Sequence, residues 1–181
     1  MYTPALIVTL QMEARAAARF TALRRAHFPP ERNWLDAHIT LFHALPMSAR
    51  DAVLGDIADI AANTDLFALR VERLLFLGAG VAYALASAEA WAVRDALARC
   101  WSDLLGRQDS HRRRPLHVTV QNKVSPAEAR LLLADLERNF SPASVDAIGL
   151  QVWEYRGGPW LALKTLAFQP AQISAAHEIQ H

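Results

Sequence analysis

Apolar and polar positions along this chain follow two different periods, one typical of β-strands and one typical of helices. Short apolar or alternating runs predict strands, whereas longer runs with apolar residues three and four positions apart predict helices. The predicted strands are 4–11, the stretch from His38 to Pro46, 67–77, 81–87, the stretch that His117 opens, 145–155 and 160–168. The predicted helices are 12–27, the segment that follows Ser48, 88–105 and the segment that follows Ser125.

The order of these elements repeats within the chain. In each half, a helix precedes a strand opened by His, and a helix with a capping start and then a hairpin follow that strand. This order predicts an α+β fold built by internal duplication. We therefore expect one bilobal domain over residues 1–168, with lobes of about 1–87 and 88–168, and a C-terminal tail over 169–181.

The two strands opened by His carry the same short motif. The first copy is His38-Ile-Thr-Leu and the second is His117-Val-Thr-Val. Because side chains alternate between the faces of a strand, His and Thr of each copy are expected on one face and the apolar pair on the other. For this length and composition, two such strings arise by chance on the order of a few times in a thousand chains.

Further candidates for the substrate-binding face come from continuing the same alternation. Phe42 follows Thr40 and is a candidate for stacking on a base, although a core or rim position is as consistent with the pattern. Gln121 and Lys123 follow Thr119, and Lys123 either binds a flanking phosphate or lies on the solvated surface.

A basic run precedes the second His strand. Arg112, Arg113 and Arg114 lie in the polar loop just before it, where they form either a phosphate clamp or a solvated basic loop. Both interpretations stay open at the level of the sequence.

Two imidazoles on facing strands suit general acid–base chemistry. Imidazoles with a pKa near 6.5 can take opposite protonation states near neutral pH, one accepting a proton and the other donating one. Thr40 and Thr119 are placed to hydrogen-bond the non-bridging oxygens of a phosphoryl group as charge develops there. This set supports phosphodiester cleavage without a metal, on a substrate such as a 2′,3′-cyclic phosphate.

The doubled motif, its separation of roughly 80 residues and the element order resemble the 2H phosphoesterase superfamily, which comprises the 2′–5′ RNA ligase-like and cyclic phosphodiesterase proteins. The resemblance covers about residues 3–168. It implies an α+β bilobal fold, with two antiparallel sheets lining a central cleft and helices outside. It also implies metal-independent action on 2′,3′-cyclic phosphates or 2′–5′ linkages, with hydrolysis and ligation both open. The implied roles are acid and base for His38 and His117, and phosphate binding for Thr40 and Thr119.

Net charge, cysteine content and the hydropathy of the chain restrict the partners and the cellular compartment that we expect. The net charge of +1 argues against a broadly basic surface that coats nucleic acid. One cysteine, Cys100, permits no internal disulfide and fits a reducing compartment. The N-terminus lacks the pattern of a signal peptide, and no apolar run reaches membrane-spanning length. We expect a cytoplasmic monomer without a cofactor, whose partner is an RNA end or a small nucleotide phosphoester.

Two rival functions remain at this stage. A non-catalytic RNA- or nucleotide-binding module could share the fold, although both His and both Thr are intact. A metal-dependent hydrolase would need a ligand set, and the sequence has no His-Glu-x-x-His motif, no cysteine pair and no carboxylate cluster beside either His.

Overall fold

The computed structural model describes residues 3–111 and 115–170. Within these residues, strands and helices follow in the order predicted for an α+β fold, and short 3₁₀ turns lie at Pro30–Arg32 and Met47–Ala49. The elements are β1 (Ala5–Met12), α1 (Ala14–His27), β2 (Ile39–Pro46), α2 (Arg50–Ala62), β3 (Phe67–Phe76), β4 (Val81–Ala86), α3 (Ala88–Cys100), β5 (Leu116–Gln121), α4 (Pro126–Arg138), β6 (Ala143–Tyr155) and β7 (Trp160–Ala167).

Local sequence signals explain where several helices begin. The helix α4 starts with a capping box, in which the Ser125 hydroxyl accepts from the Glu128 amide and the Glu128 carboxylate accepts from the Ser125 amide. Ser87 caps α3 by accepting from the Ala90 amide, and Glu13 caps α1. The predicted capping start at Ser48 is wrong, because α2 begins after Ala49 without a side-chain cap.

The strands form one antiparallel sheet that closes on itself. Among the described residues, the strand order is β1-β2-β5-β4-β3-β6-β7. An additional β1–β6 pairing closes the first six strands of this series into a ring, and β7 pairs with β6 outside the ring. Two groups can be distinguished, β2-β1-β6-β7 and β5-β4-β3. They are joined where β6 pairs with β3 and where β2 pairs with β5 through Ile39 and Val118. The two sheets implied by the resemblance are therefore continuous at two seams.

The pairings exchange strands between the two halves of the sequence. The β3-β4 hairpin of the first half pairs with β5 of the second half, and β6 of the second half pairs with β1. The predicted lobe boundary near residue 87 therefore stays a prediction that rests on the sequence repeat. Strands on each side of it are hydrogen-bonded to strands on the other side.

Helices cover the outer faces of the sheet and bury a shared apolar core. The helices α1 and α4 pack on the β5-β4-β3 group, whereas α2 packs on β6, β7 and α3. Phe20 of α1 contacts the partly buried Tyr83 of β4 edge to face, and Phe20, Ile39 and Val118 are completely buried. Burial of these apolar faces is the main force that holds the two His strands in register.

The chain continues to contact the body of the protein after β7. The Gln169 amide donates to the Thr64 carbonyl at 2.8 Å, and the Leu66 amide donates to the Gln169 carbonyl at 2.9 Å. Residues 171–181, which belong to the predicted tail, lie outside the described residues.

Candidate active site

The two His-x-Thr motifs lie side by side on neighbouring antiparallel strands. Ile39 of β2 pairs with Val118 of β5, and both side chains point into the core. One residue away in each direction, the same register places His38 opposite Thr119 and Thr40 opposite His117. Directly opposite residues of an antiparallel pair have Cβ atoms about 4.5–5.5 Å apart and share a face. The structure therefore brings the four half-buried side chains together on one face.

Both imidazoles are held by the same kind of hydrogen bond. Nδ1 of His38 lies 2.8 Å from the Asp36 carbonyl oxygen, and Nδ1 of His117 lies 2.9 Å from the Pro115 carbonyl oxygen. A carbonyl oxygen can only accept, so Nδ1 donates in each case. In the neutral tautomer, Nε2 is then the nitrogen that carries the lone pair, as a general base requires.

The surroundings of His38 favour its neutral form. The pKa of His38 is lowered from 6.5 to about 4, chiefly by burial of the ring and against the opposing effect of the hydrogen bond to the Asp36 carbonyl. The positive charges of Arg24, His117 and His43 contribute smaller parts of this lowering. His38 is therefore a neutral imidazole at neutral pH, and the contribution from His117 reflects how close the two rings are.

A buried arginine that sequence analysis missed lies behind the site. The Arg24 guanidinium of α1 donates to the Thr119 carbonyl at 3.0 Å, to Asn33 Oδ1 at 2.8 Å and to the Leu35 carbonyl at 3.0 Å. Burial lowers the pKa of Arg24, but an arginine stays charged throughout the physiological range. Arg24 thus ties the loop before His38 to β5 and adds a positive charge near the motif.

The Thr hydroxyls of the motif take no part in the hydrogen bonds among the residues that the structure describes. Within residues 3–111 and 115–170, neither the Thr40 nor the Thr119 hydroxyl forms a hydrogen bond with another residue. Each hydroxyl can therefore donate to a ligand without breaking an internal contact.

Phe42 and Gln121, which alternation placed on the substrate face, are turned away from it. A β-bulge lies after each Thr, so that Thr9 pairs with Thr40 but Val8 pairs with Phe42, two residues further along. The same shift occurs on β5, where Ala82 pairs with Thr119 but Val81 pairs with Gln121. An extra residue in one strand reverses the alternation.

The consequence for both side chains is burial away from the motif. Phe42 is 0% exposed and packs against the Trp101 ring and the Arg94 guanidinium, so no base can stack on it. Gln121 is also buried, and its Oε1 atom has no hydrogen-bond partner. The prediction that Phe42 and Gln121 line the substrate face is therefore corrected.

The structure describes one of the four basic residues that were predicted to contact phosphate. Lys123 lies beyond the end of β5 in a turn, is exposed and has a positive φ of 65°, so the strand alternation does not extend to it. Arg112, Arg113 and Arg114 lie outside the described residues. A phosphate contact by any of these four residues stays a prediction.

Asp109 connects the loop before β5 to β2 just beyond the motif. Its buried carboxylate accepts from the His43 and Ala44 amides and from His43 Nδ1, each at 2.9 Å. Burial alone would raise the pKa of Asp109, but these three hydrogen bonds lower it below its usual value. The segment that leads to His117 is thereby attached to the strand that follows Thr40.

An aromatic groove adjoins His38. It has a volume of about 1200 Å³, and its lining includes Trp34, Trp153, Trp160 and His38. The His38 and Trp160 rings contact each other with centroids 4.6 Å apart, and the Trp153 and Trp160 centroids are 6.1 Å apart. Sequence analysis assigned no role to these tryptophans, because the loop that carries Trp34 is far along the chain from the β6-β7 hairpin that carries Trp153 and Trp160.

Metal-binding clusters and membrane-spanning helices are both missing from the part of the chain that the structure describes. No group of three or more His, Cys, Asp or Glu side chains there is arranged to hold a metal ion. No helix in the same residues is long and apolar enough to cross a membrane.

Comparisons with known proteins identify the family. Residues 12–159 match the model of the 2′-5′ RNA ligase superfamily, and the chain belongs to this superfamily, which confirms the resemblance to the 2H phosphoesterases. A separate comparison with curated proteins finds no match.

Solved structures share the fold. TT0787 of Thermus thermophilus is similar with a TM-score of 0.66 and 12% identity, over 92% of this chain and 99% of that one. E. coli LigT complexed with 3′-AMP is similar with a TM-score of 0.63 and 16% identity, over 93% of this chain and 99% of that one. At these identities the likeness confirms the α+β fold.

Proposed function

We propose that this protein is a metal-independent phosphoesterase that acts on 2′,3′-cyclic phosphates or 2′–5′ phosphodiesters of RNA ends or small nucleotides. The observation that carries the proposal is the paired arrangement of the two imidazoles. Each donates through Nδ1 to the carbonyl two residues earlier, and both lie on one face of adjacent strands opposite the Thr of the other motif. Membership of the superfamily supports the same chemistry.

The lowered pKa of His38 suggests how the two roles are divided. For hydrolysis of a cyclic phosphate, neutral His38 accepts a proton from a water molecule as its oxygen bonds to phosphorus. His117, protonated, donates a proton to the ribose oxygen as the bond from phosphorus to that oxygen breaks. After turnover His38 has gained one proton and His117 has lost one. Proton exchange with solvent returns both rings to their starting protonation states.

The remaining groups of the motif stabilise charge on the phosphoryl oxygens. Thr40 and Thr119 donate their hydroxyl protons to non-bridging oxygens, where charge builds up in the transition state. The charge of Arg24, fixed behind β5, favours a bound phosphate by its positive potential. All these residues come from one chain, which supports a site that is complete in a monomer.

The proposal is tested with His38→Ala and His117→Ala variants and a panel of nucleoside 2′,3′-cyclic phosphates and 2′–5′ dinucleotides. We expect each variant to lose about 10²–10⁴-fold in kcat, because each removes one proton-transfer group. EDTA-treated enzyme is expected to keep its activity. A His27→Ala variant serves as the control for loss of a histidine outside the motif, at the end of α1.

Two results would count against the proposal. Full activity in either motif variant would exclude paired acid–base catalysis. Tight nucleotide binding without turnover of any phosphoester would instead support the non-catalytic binding module of the same fold.

A further inference from the structure

We propose that Arg24 and Asp109 are positioning residues, which close the seam between β2 and β5 on its two sides and thereby set how the two motif imidazoles face one phosphate. This inference rests on the proposed function, because such alignment matters only where both rings act on the same phosphorus atom. A displacement of about 1 Å at a catalytic group can cost on the order of 100-fold in rate. The seam between the two motif strands therefore has to be held firmly.

The backbone alone holds this seam over a very short length. Within the part of the chain that the structure describes, β2 pairs with β5 through Ile39 and Val118 alone. The other seam of the sheet, between β3 and β6, is paired along residues 67–71 of β3. On each side of the Ile39–Val118 pair lie one motif His and one motif Thr. The alignment of the motifs therefore depends on the side chains that bind both strands beside this pair.

Arg24 closes the side of the seam on which Thr119 lies. One terminal nitrogen of its buried guanidinium donates to the Thr119 carbonyl at 3.0 Å. Its Nε atom donates to the Leu35 carbonyl at 3.0 Å and to Asn33 Oδ1 at 2.8 Å. Because a guanidinium is planar and donates in several fixed directions, this one side chain spans the gap between β5 and the loop that delivers His38.

Asp109 closes the opposite side of the seam. Its Oδ2 atom accepts from the His43 and Ala44 amides of β2, each at 2.9 Å, and its Oδ1 atom accepts from His43 Nδ1 at 2.9 Å. Both amides lie beyond the end of the β2–β5 pairing, so the buried carboxylate supplies the acceptors that β5 does not. The loop that carries Asp109 also carries the carbonyl that orients His117.

A buried arginine holds the loop before the motif histidine in both halves of the chain. Arg94 of α3 donates to the backbone carbonyl of Asp109, as Arg24 of α1 donates to that of Leu35. Each guanidinium also lies over a phenylalanine ring, at 4.1 Å from the centroid for Arg24 and 4.9 Å for Arg94. This recurrence indicates that fixation of the two loops belongs to the repeated unit that forms the site.

Arg24→Lys separates the geometry of the guanidinium from its charge. Lysine keeps the positive charge but lacks the planar fork, so it cannot bind both sides of the seam in the same way. We expect kcat on nucleoside 2′,3′-cyclic phosphates to fall by about 10- to 100-fold, in line with a displacement near 1 Å. Asp109→Asn, which replaces one acceptor oxygen with a donor, should cause a similar loss. Arg15→Lys and Asp103→Asn, both at exposed positions, are the matched controls and should keep wild-type kcat.

A second background distinguishes positioning from a role in stability alone. Each variant is combined with His117→Ala, which leaves no pair of imidazoles to align. In this background Arg24→Lys and Asp109→Asn should lower kcat by less than about threefold, since groups that act as a unit are not additive. Loss of folded protein would instead lower kcat by the same factor in both backgrounds.

A milder variant covers the case in which Arg24→Lys does not fold. Asn33→Ala removes one acceptor of the guanidinium and leaves the charge in place, so it should show a smaller loss with the same dependence on His117. Wild-type kcat in Arg24→Lys or in Asp109→Asn, or equal losses in the two backgrounds, would overturn the inference.

A binding experiment separates failure of this inference from failure of the proposed function. Calorimetric titration with inorganic phosphate needs no turnover. Thr119→Val should weaken phosphate binding by about 10- to 100-fold in the wild-type background, the usual size for loss of a hydrogen bond to a charged group. In the Arg24→Lys background the same change should cost much less, because Thr119 is no longer held against the phosphate.

The outcomes of this titration are distinct. If the wild type turns over no phosphoester but shows this pattern, the positioning role is supported and the catalytic proposal fails. If Thr119→Val weakens phosphate binding equally in both backgrounds, Arg24 does not align the motifs, whatever the activity. Absence of both turnover and phosphate binding in the wild type would overturn both proposals.

Discussion

At the scale of single residues, two copies of one motif acquire different properties from their surroundings. Both imidazoles donate through Nδ1 to the carbonyl two residues earlier, an arrangement set by the local chain. His38 also lies against Trp160 and near Arg24, which come from β7 and α1. The motif itself could be predicted from sequence, but these neighbours could not, because they are distant in the chain.

The lowered pKa of His38 leads to a direct prediction for titration by NMR. In ¹⁵N-labelled protein, His38 Nε2 should stay unprotonated until the pH falls well below 6.5, with a midpoint at about 4. Adding inorganic phosphate should raise this midpoint, because a nearby anion favours the imidazolium. A midpoint at or above 6.5 in the free protein would contradict the assignment of His38 as the resting base.

The same shift affects stability with a defined sign. The folded state binds the His38 proton more weakly than the unfolded chain does, so protonation favours unfolding between pH 6.5 and about 4. The free energy of unfolding should fall as the pH is lowered through this window. A His38→Gln variant should lose part of that fall, as measured by urea denaturation at pH 7 and pH 5.

At the scale of strands and helices, local signals predicted most elements and failed where register matters. The capping box and N-terminal Pro of α4 and the turn between β3 and β4 are encoded within a few residues, and the structure confirms them. The bulges after Thr40 and Thr119 could not be predicted from local sequence. The alternation rule assumes a regular strand in which every second residue lies on the same face, and a bulge breaks that regularity. Their recurrence at the same place in both motifs shows that the duplication extends to backbone geometry.

The loop before β5 provides a prediction at this scale. Replacing Asp109 with Ala leaves the His43 and Ala44 amides and the His43 ring without their acceptor. We expect a loss of about 2–4 kcal/mol in the free energy of unfolding, since hydrogen bonds to a buried charged group are each worth about 1.5–3 kcal/mol and partial hydration recovers some of it. Urea denaturation at pH 7 measures the change.

Asp103→Ala is the matched control, because Asp103 lies in the same loop region but is exposed. Since the folded pKa of Asp109 is below its ordinary value, its stabilising contribution is present above about pH 4 and is lost as the pH falls through the folded pKa. Equal stability of Asp109→Ala and Asp103→Ala at pH 7 would show that the carboxylate does not hold the loop.

At the scale of the whole molecule, the long strand β6 joins the parts that sequence analysis kept separate. Its first residues pair with β3, and the rest pair with β1 on one edge and β7 on the other. Such long-range order cannot be predicted from periodicity, because periodicity reports the faces of a strand and not its neighbours. The two groups of strands thus depend on β6 for their relative position, and the groove beside His38 is built partly on it.

Gly149 tests this dependence, because it lies where β6 is paired on both edges. A Cβ atom at this position would lie 2.4 Å from the Leu166 carbonyl oxygen and 3.1 Å from the Ala167 Cα atom, both part of the backbone of β7. Gly149→Ala should therefore separate β7 from β6 and cost about 1–3 kcal/mol in the free energy of unfolding, the range for an overpacked site. Urea denaturation measures this cost.

Gly55→Ala is the comparison, because a Cβ atom added at Gly55 would have nothing within 4 Å and the residue occupies an exposed position of α2. Alanine in a helix is favoured over glycine by about 0.5–1 kcal/mol, so Gly55→Ala should raise the unfolding midpoint while Gly149→Ala lowers it. Because Trp160 begins β7 and contacts the His38 ring, Gly149→Ala should also lower kcat on nucleoside 2′,3′-cyclic phosphates, and Gly55→Ala should not. A Gly149→Ala protein with wild-type stability and wild-type kcat would show that β6 and β7 are less closely coupled to the site than the pairing indicates.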